Sequence, residues 1–492
     1  MSFNSFIFIF LFMPIVLIIY WFLVKRGLYK GALYFLCIAS VVFYSYAYLK
    51  GLPILLLSIV ANYAISRGIL NAKSGFSKKM ILIAGVLFDV ALLAVFKYGM
   101  LIFTGFDGVL TAPGISFYTF TAIAFIVENY KGSIKRVDVC EYGLQMLFFP
   151  KIIQGPIVMP SDELIEGRNI KGISVEDVYR YIMLFSFGLF KKVIIADTLG
   201  RAVDYGYANP NSIHTMEALV VILSYSLQLY FDFSGYTDMA MAVAGLLGFK
   251  IPKNFDSPYK AKNIEDFWKR WHITLTKFFT RYIYIPLGGN RKGNARTFLN
   301  LLLIFFISGL WHGAGIQFII WGMLHGVLYV IYRAFKMSKE RHNASDSVVP
   351  EGEITTVTKV KNAIKILLTF IYVNIAWVFF RAPSVGAAFR LFKSVFELWF
   401  PRFNTGLAQC FNIDELWYLI KLVHMDRNPY GIYILMVVIL ITLLVLVFRM
   451  PNAYEYAMAC KTSILNTVLI IMLLSWSILS FEGVATYLYV NF

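Results

Sequence analysis

Charge is what this chain lacks. Only 15% of its 492 residues are Asp, Glu, Lys or Arg, whereas 59% are hydrophobic. A soluble fold of this length needs far more charge to cover its surface, so an ordinary water-soluble enzyme is excluded. Cysteine is scarce as well. The four present (Cys37, Cys140, Cys410, Cys460) show no paired spacing and suggest neither a disulfide framework nor a zinc site; no metal is expected. Also missing are a Gly-rich phosphate loop, a nucleophile elbow and an HExxH pair; HTMEALV offers one His with no zinc partner. No solenoid-spaced repeat and no inverted symmetry is visible, which argues against a repeat protein and against a transporter fold. Acidic residues are outnumbered, 28 against 45 basic, for a formal net charge of +17. That excess does not make a nucleic-acid binder. The basic residues mostly flank apolar runs, where they meet anionic lipid headgroups and set topology.

What the chain has is long apolar runs. FIFIFLFMPIVLIIYWFLV from Phe6, YILMVVILITLLVLVF from Tyr433 and ILNTVLIIMLLSWSILSF from Ile464 approach the roughly 20 residues a helix needs to span the hydrocarbon core. The chain is therefore expected to be an all-α polytopic membrane protein; a barrel would show alternation within short strands. The first run has no basic segment before it and no small-residue cleavage pattern, and Lys25 and Arg26 follow at once. It reads as a retained first helix with its N-terminus outside and its basic end in the cytoplasm. About eleven embedded segments are expected, centred near 15, 40, 58, 91, 123, 186, 226, 306, 324, 371, 440 and 472, one of them not crossing fully.

Three stretches break the pattern. EYGLQMLFFPKIIQGPIVMP from Glu141 is apolar but interrupted by Pro150, Lys151, Gly155 and Pro156, as in a re-entrant element. Residues 336–361 are polar and read as a mobile linker. Residues 250–296 carry eleven Lys or Arg against three acids, yet interleave them with PYK, FWKRWHITL, KFF and RYIYIPLGG. Solvated loops do not hold so many aromatics, so short helices at or dipping into the membrane surface are expected, with basic heads snorkelling.

The chemistry-bearing residues stand out against this background. SGLWHGAGIQFIIWGMLHG, from Ser308, places His312 and His325 inside apolar sequence. Neutral imidazole can both take and give a proton near physiological pH, so His312 is a candidate base. Gly309, Gly313 and Gly315 leave room for another backbone or for a ligand, and Trp311 and Trp321 offer rigid walls. The bland reading weighs about equally for a lone histidine: a bond to a neighbouring helix, with glycines serving close packing. His272, in FWKRWHITL, is a second candidate. His325 lies thirteen positions after His312 and, at about 100° per residue, well off the same helical face, which favours packing for it. Gln228, Asp232, Ser234 and Asp238 are polar groups within LQLYFDFSGYTDMAMAVAGLLG. They fit orienting a histidine, pairing with an arginine or lining a tunnel, and structural pairing weighs at least as much as catalysis.

At this level of detail the chain resembles the membrane-bound O-acyltransferases (MBOAT), in particular the bacterial branch that O-acetylates alginate and other polysaccharides. The segments that carry the resemblance are PGISFYTFTAIAFIVENYKG, FFPKIIQGPI, FGLFKKVIIAD, LQLYFDFSGYTDMAMAVAGLLGF, NFDSPYKAKNIEDFWKRWHITL, YIYIPLGGNRKG, SGLWHGAGIQFIIWGMLHG and WVFFRA. They run in family order over 113–382, with 254–326 as the catalytic segment of a single MBOAT domain, 1–492. One departure is Thr280–Arg281, where many relatives carry Arg-Asp; it bears on local ion pairing and not on the histidines. The resemblance implies a ring of tilted helices around a thinned core, with a tunnel meeting the catalytic histidine. It maps the essential histidine of the WHG motif onto His312 and that of the RWH motif onto His272. Asn263, Trp268, Arg270 and Trp271 fall in the block around His272 and, with Trp311 and His325, are the substrate-binding candidates.

The resemblance further implies acyl transfer in a bacterial cytoplasmic membrane. No bound cofactor is expected; the donor is acetyl-CoA or another acyl thioester, including an acyl carrier protein. The expected acceptor is an exported polysaccharide, reached directly or through an extracytoplasmic partner of the SGNH-hydrolase type. D-alanyl transfer to teichoic acid from a carrier protein is the alternative within the family, and a proton-coupled transporter the alternative outside it. Membrane lipids are the remaining partners, and nucleic acid is not one.

Overall fold

The computed structural model describes residues 1–102, 112–343, 356–400, 403–413, 421–422, 424 and 430–481, and among them every regular element is helical. Among the described residues, eight stretches are long and apolar enough to cross a bilayer: Phe8–Lys25, Tyr29–Asn71, Gly75–Gly99, Thr215–Leu246, Asn294–His312, Ile316–Glu340, Thr356–Arg381 and Gly431–Arg449. The second of these is two helices, Tyr29–Tyr48 and Leu52–Asn71, joined by a short 3-10 turn. The segments expected near 123 and 472 form 16-residue helices, Ile115–Tyr130 and Ile464–Leu479, each rising roughly 24 Å, less than a full hydrocarbon core. The segment expected near 186, Val175–Phe190, runs on without a break through a π-helical stretch, Lys191–Ala196, into Asp197–Ala208. This is a multi-pass, all-α membrane protein. Of the polar stretch 336–361, the helices Ile316–Asn343 and Thr356–Arg381 take the two ends, and 344–355 lie outside the described residues.

The chain divides into two compact units. The first comprises Met1–Val193, Asp232–Lys253 and Ala453–Phe492, the second Ile194–Phe231 and Asn254–Asn452.

In the first unit, spans are tied by polar groups that have no water to turn to. The Asn62 amide donates to Asp89 Oδ1 at 2.8 Å, and Asn129 donates to the Ser66 carbonyl at 2.8 Å. Three helices, Leu52–Asn71, Gly75–Ile102 and Ile115–Tyr130, are joined this way. The stretch expected to be broken leaves helix Val139–Leu147 and continues irregularly, yet every residue from Phe148 to Met159 is buried. Irregular backbone of this kind is sustained by protein cover. Gly114, at φ 80°, admits it: a Cβ there would collide with the Ile152 carbonyl. Asp232 and Asp238 do form structural pairs, but with lysines. Lys192 Nζ lies 2.9 Å from Asp232 Oδ1 and Lys191 Nζ 2.6 Å from Asp238 Oδ2. Both lysines come from FGLFKKVIIAD, and the Lys192 and Asp232 side chains are each 2% exposed.

From Asn254 on, the basic, aromatic-rich stretch belongs to the second unit. It folds into short helices, Ile264–Arg270 and Ile273–Phe279, followed by a π-helical turn at Thr280–Tyr284. Asn263 Oδ1 accepts the Asp266 N–H at 2.8 Å, which caps the first helix. Asp266 in turn accepts from Arg270 Nε at 2.7 Å, one helical turn on. A local cap and an i,i+4 pair thus account for a helix of only seven residues.

The hairpin of Asn294–His312 and Ile316–Asn343 then carries SGLWHGAGIQFIIWGMLHG. Its glycines settle one question left by the sequence: the room at Gly313 and Gly315 is taken by the Phe318 ring and the Gln317 side chain, and that at Gly309 and Gly322 by backbone. A Cβ on Gly309 would sit 2.6 Å from the Phe318 carbonyl oxygen, and one on Gly322 would collide with the Phe305 carbonyl.

Candidate active site

Histidine burial sorts the candidates. His272, His312 and His325 are 1%, 3% and 0% exposed, whereas His214 is half-buried and His424 exposed. The side chain of His342 lies outside the described residues. All three buried rings belong to the second unit.

His272 sits between the two short helices with φ 44°, a left-handed conformation that costs energy in a non-glycine residue. Its ring is oriented by Asn254, from NFDSPYK. Asn254 Oδ1 accepts the Thr274 N–H (3.3 Å) and Thr274 hydroxyl (2.9 Å), and His272 Nδ1 lies 3.1 Å away. A backbone N–H can only donate, so that amide oxygen is fixed as the acceptor. His272 Nδ1 therefore carries the proton, which leaves Nε2 as the acceptor nitrogen. Burial pushes the imidazole down to about 3, so it is neutral at physiological pH.

His312 ends its helix, and three aromatic rings hold it: Trp311 at 4.4 Å, Trp321 at 4.8 Å and Phe380 at 4.9 Å between centroids. The two tryptophans also join the three histidines. Trp311 lies 6.4 Å from His272, and Trp321 lies 5.2 Å from His325. The order is His272, Trp311, His312, Trp321, His325. The helical-face argument that set His325 apart assumed one continuous helix. The chain instead turns at Gly313–Gly315, and both histidines reach the same indole.

A cavity of about 320 Å³ lies in the same unit. Glu265, Lys269, Asn290 and Arg333 supply its polar lining, and Trp268, Leu301, Ile304 and Phe305 part of its apolar lining. None of the three histidine rings lines it. Ser308, one helical turn before His312, and Thr276, one turn after His272, do.

Residues 6–345 match the profile of MBOAT, the membrane-bound O-acyltransferase family. The chain belongs to this family. It is similar to the peptidoglycan O-acetyltransferase of Helicobacter pylori, 37% identical over 436 residues, which covers 80% of each chain. It is 35% identical over 414 residues to the probable alginate O-acetylase AlgI of Pseudomonas aeruginosa, covering 81% of this chain and 75% of the other. The teichoic acid D-alanyltransferase of Bacillus subtilis matches over 274 residues at 31% identity, 53% of this chain and 66% of the other. The protein is a membrane-bound O-acyltransferase.

The remaining candidates of this MBOAT chain take distinct positions. Trp268 lines the cavity and edges His325 at 5.1 Å. Trp271 packs between Phe255 and Trp377, each at 5.0 Å, as a core residue. Asn263 is the helix cap, and Arg270 binds Asp266 and the Asp256 carbonyl. Sequence reasoning missed Asn254 as the group that orients His272, and also Trp377 and Phe380 of WVFFRA. Phe380 touches His312, and Trp377 stacks on Trp321 at 5.7 Å. The local motif around Asn254 gives no sign of a side chain eighteen positions away.

Proposed function

We propose that this protein moves an acetyl or similar short acyl group from a cytoplasmic thioester toward a hydroxyl of an exported cell-envelope or extracellular polysaccharide. One observation carries the reading. Polysaccharide and peptidoglycan O-acetyltransferases match four-fifths of the chain, whereas the teichoic acid D-alanyltransferases match 53–56% of it.

The chemistry is ester formation from a thioester. The acceptor oxygen adds to the acyl carbonyl as His312 takes the hydroxyl proton, the C–S bond breaks, and the proton passes to the departing thiolate. Products are an ester and a free thiol. General-base assistance of this kind is worth about 10²–10⁴-fold. His272, a proton on Nδ1, offers an acceptor nitrogen at Nε2 for a hydroxyl donor. The cavity suits the donor: Lys269 and Arg333 meet the charge of coenzyme A phosphates or of an acidic carrier protein, and the apolar lining meets the acyl end. In this reading the protein resides in the bacterial cytoplasmic membrane and passes the group to an SGNH-type partner or to the polymer itself.

The test is the ester content of the cell envelope in a strain lacking the gene. Loss of O-acetyl groups from a polysaccharide, restored by the wild-type chain, supports the reading. Loss of D-alanyl esters with O-acetyl groups intact overturns it in favour of the teichoic acid reaction.

A further inference from the structure

His325 is the buried group the mechanism leaves unused. It is completely buried, and among the described residues neither ring nitrogen has a hydrogen-bond partner. The same holds for Nε1 of two tryptophans that edge it, Trp268 at 5.1 Å and Trp321 at 5.2 Å. Phe267 and Phe305 stack on its faces at 6.1 and 6.3 Å. Neutral imidazole always carries one N–H and one lone pair. A site that needed only an aromatic ring would hold phenylalanine and bury nothing polar, whereas this one keeps an imidazole at a desolvation cost. Buried polar groups are normally hydrogen-bonded, so an unpaired imidazole beside two unpaired indoles calls for a reason.

The location says what the groups serve. Trp268 and Phe305 line the 320 Å³ cavity and also touch His325, so the imidazole stands directly behind the cavity's aromatic wall. On its other side, Trp321 separates it from His312, the proposed base.

We propose that His325 is an acyl-binding residue: with a thioester in the cavity, the Trp268 ring yields and the acyl carbonyl oxygen takes a hydrogen bond from the His325 N–H. The Trp321 N–H is the second donor. The inference rests on the reading that the cavity receives the thioester. Two neutral N–H donors polarise the carbonyl and stabilise the negative oxygen that forms as the hydroxyl adds. No proton leaves His325 in the step; His312 takes the hydroxyl proton and the sulfur carries away the bonding electrons.

The test compares His325→Phe and His325→Gln in the full chain in nanodiscs, with acetyl-CoA as probe and cell-envelope material as acceptor. Thiol release gives kcat and KM, and thermal unfolding gives stability. The expected result for His325→Phe is a higher Tm, because a ring is kept and the orphan polar atoms are lost, with kcat reduced about 10²–10³-fold. His325→Gln, which restores an N–H donor, should recover at least about tenfold of that loss. A Phe variant with unchanged kcat overturns the proposal. So does a Phe variant that loses stability and activity together with Gln no better, since the ring would then be structural. The underlying cavity reading is tested separately with Lys269→Glu and Arg333→Glu combined: a raised KM for acetyl-CoA supports it, and an unmoved KM removes it and the proposal with it.

Discussion

Adding one methyl group at Gly309 tests whether the hairpin positions His312. In Gly309→Ala the new carbon would lie 2.6 Å from the Phe318 carbonyl oxygen and 3.1 Å from Ile319 Cα, both backbone atoms that cannot rotate away. Ordinary contact begins near 3.4 Å, so the two helices must part by roughly 0.8 Å at this level. Overpacking of this kind costs about 1–3 kcal/mol. His312 is three residues further along the same helix, and displacing a reacting group by about an ångström costs on the order of 10²-fold in rate. Gly68→Ala is the control. Its nearest neighbours are the side-chain atoms of Ile81 at 3.6 and 3.7 Å, so it gains helix propensity of about 0.5–1 kcal/mol without a clash. Thermal unfolding in detergent and envelope ester content should therefore move in opposite directions, or apart, for the two variants. If Gly309→Ala is as stable and active as Gly68→Ala, the close helix contact does not hold the site.

Other expectations follow from the same geometry. Lys192→Met takes the lysine from a carboxylate that is 2% exposed and should cost about 3–5 kcal/mol; adding Asp232→Leu should return most of it, as read by the unfolding temperature of each variant. Asn254→Leu removes the acceptor of the Thr274 and His272 donors and should cost at least about 1–3 kcal/mol with a loss of ester formation, whereas Asn254→Asp, which keeps the oxygen, should be milder on both counts. His272, held neutral down to about 3, makes the fold acid-sensitive. The unfolded chain takes up this proton near pH 6.5 and the native chain does not, so stability is full above 6.5 and falls as pH drops toward 3. A shallower decline of unfolding temperature over that window is expected for His272→Gln.

Much of this architecture was legible because lipid imposes simple rules. Apolar length and flanking lysines announced the spans, and Pro150 and Gly155 announced the break that the fold then covers. The histidines of WHG and RWH were legible as residue types out of place. Their mutual arrangement was not. Whether Gly313–Gly315 ends a helix or merely loosens one depends on what packs against it, and here the Phe318 ring fills the space at Gly313 and the Gln317 side chain that at Gly315. The sequence also gave no way to tell that Asp232 faces Lys192, forty positions away, rather than a histidine. Nor could it distinguish the capping role of Asn263 from the orienting role of Asn254, since both are asparagines in one polar, aromatic block and differ only in what lies across from them.

The most direct measurement is polymer acylation by the His312→Ala chain, expressed at normal level in a strain lacking the native gene and compared with His312→Gln. If the imidazole is the proton acceptor, both variants fold and reach the membrane, and both lose ester formation by about 10²-fold or more. Wild-type ester content in either would contradict that role.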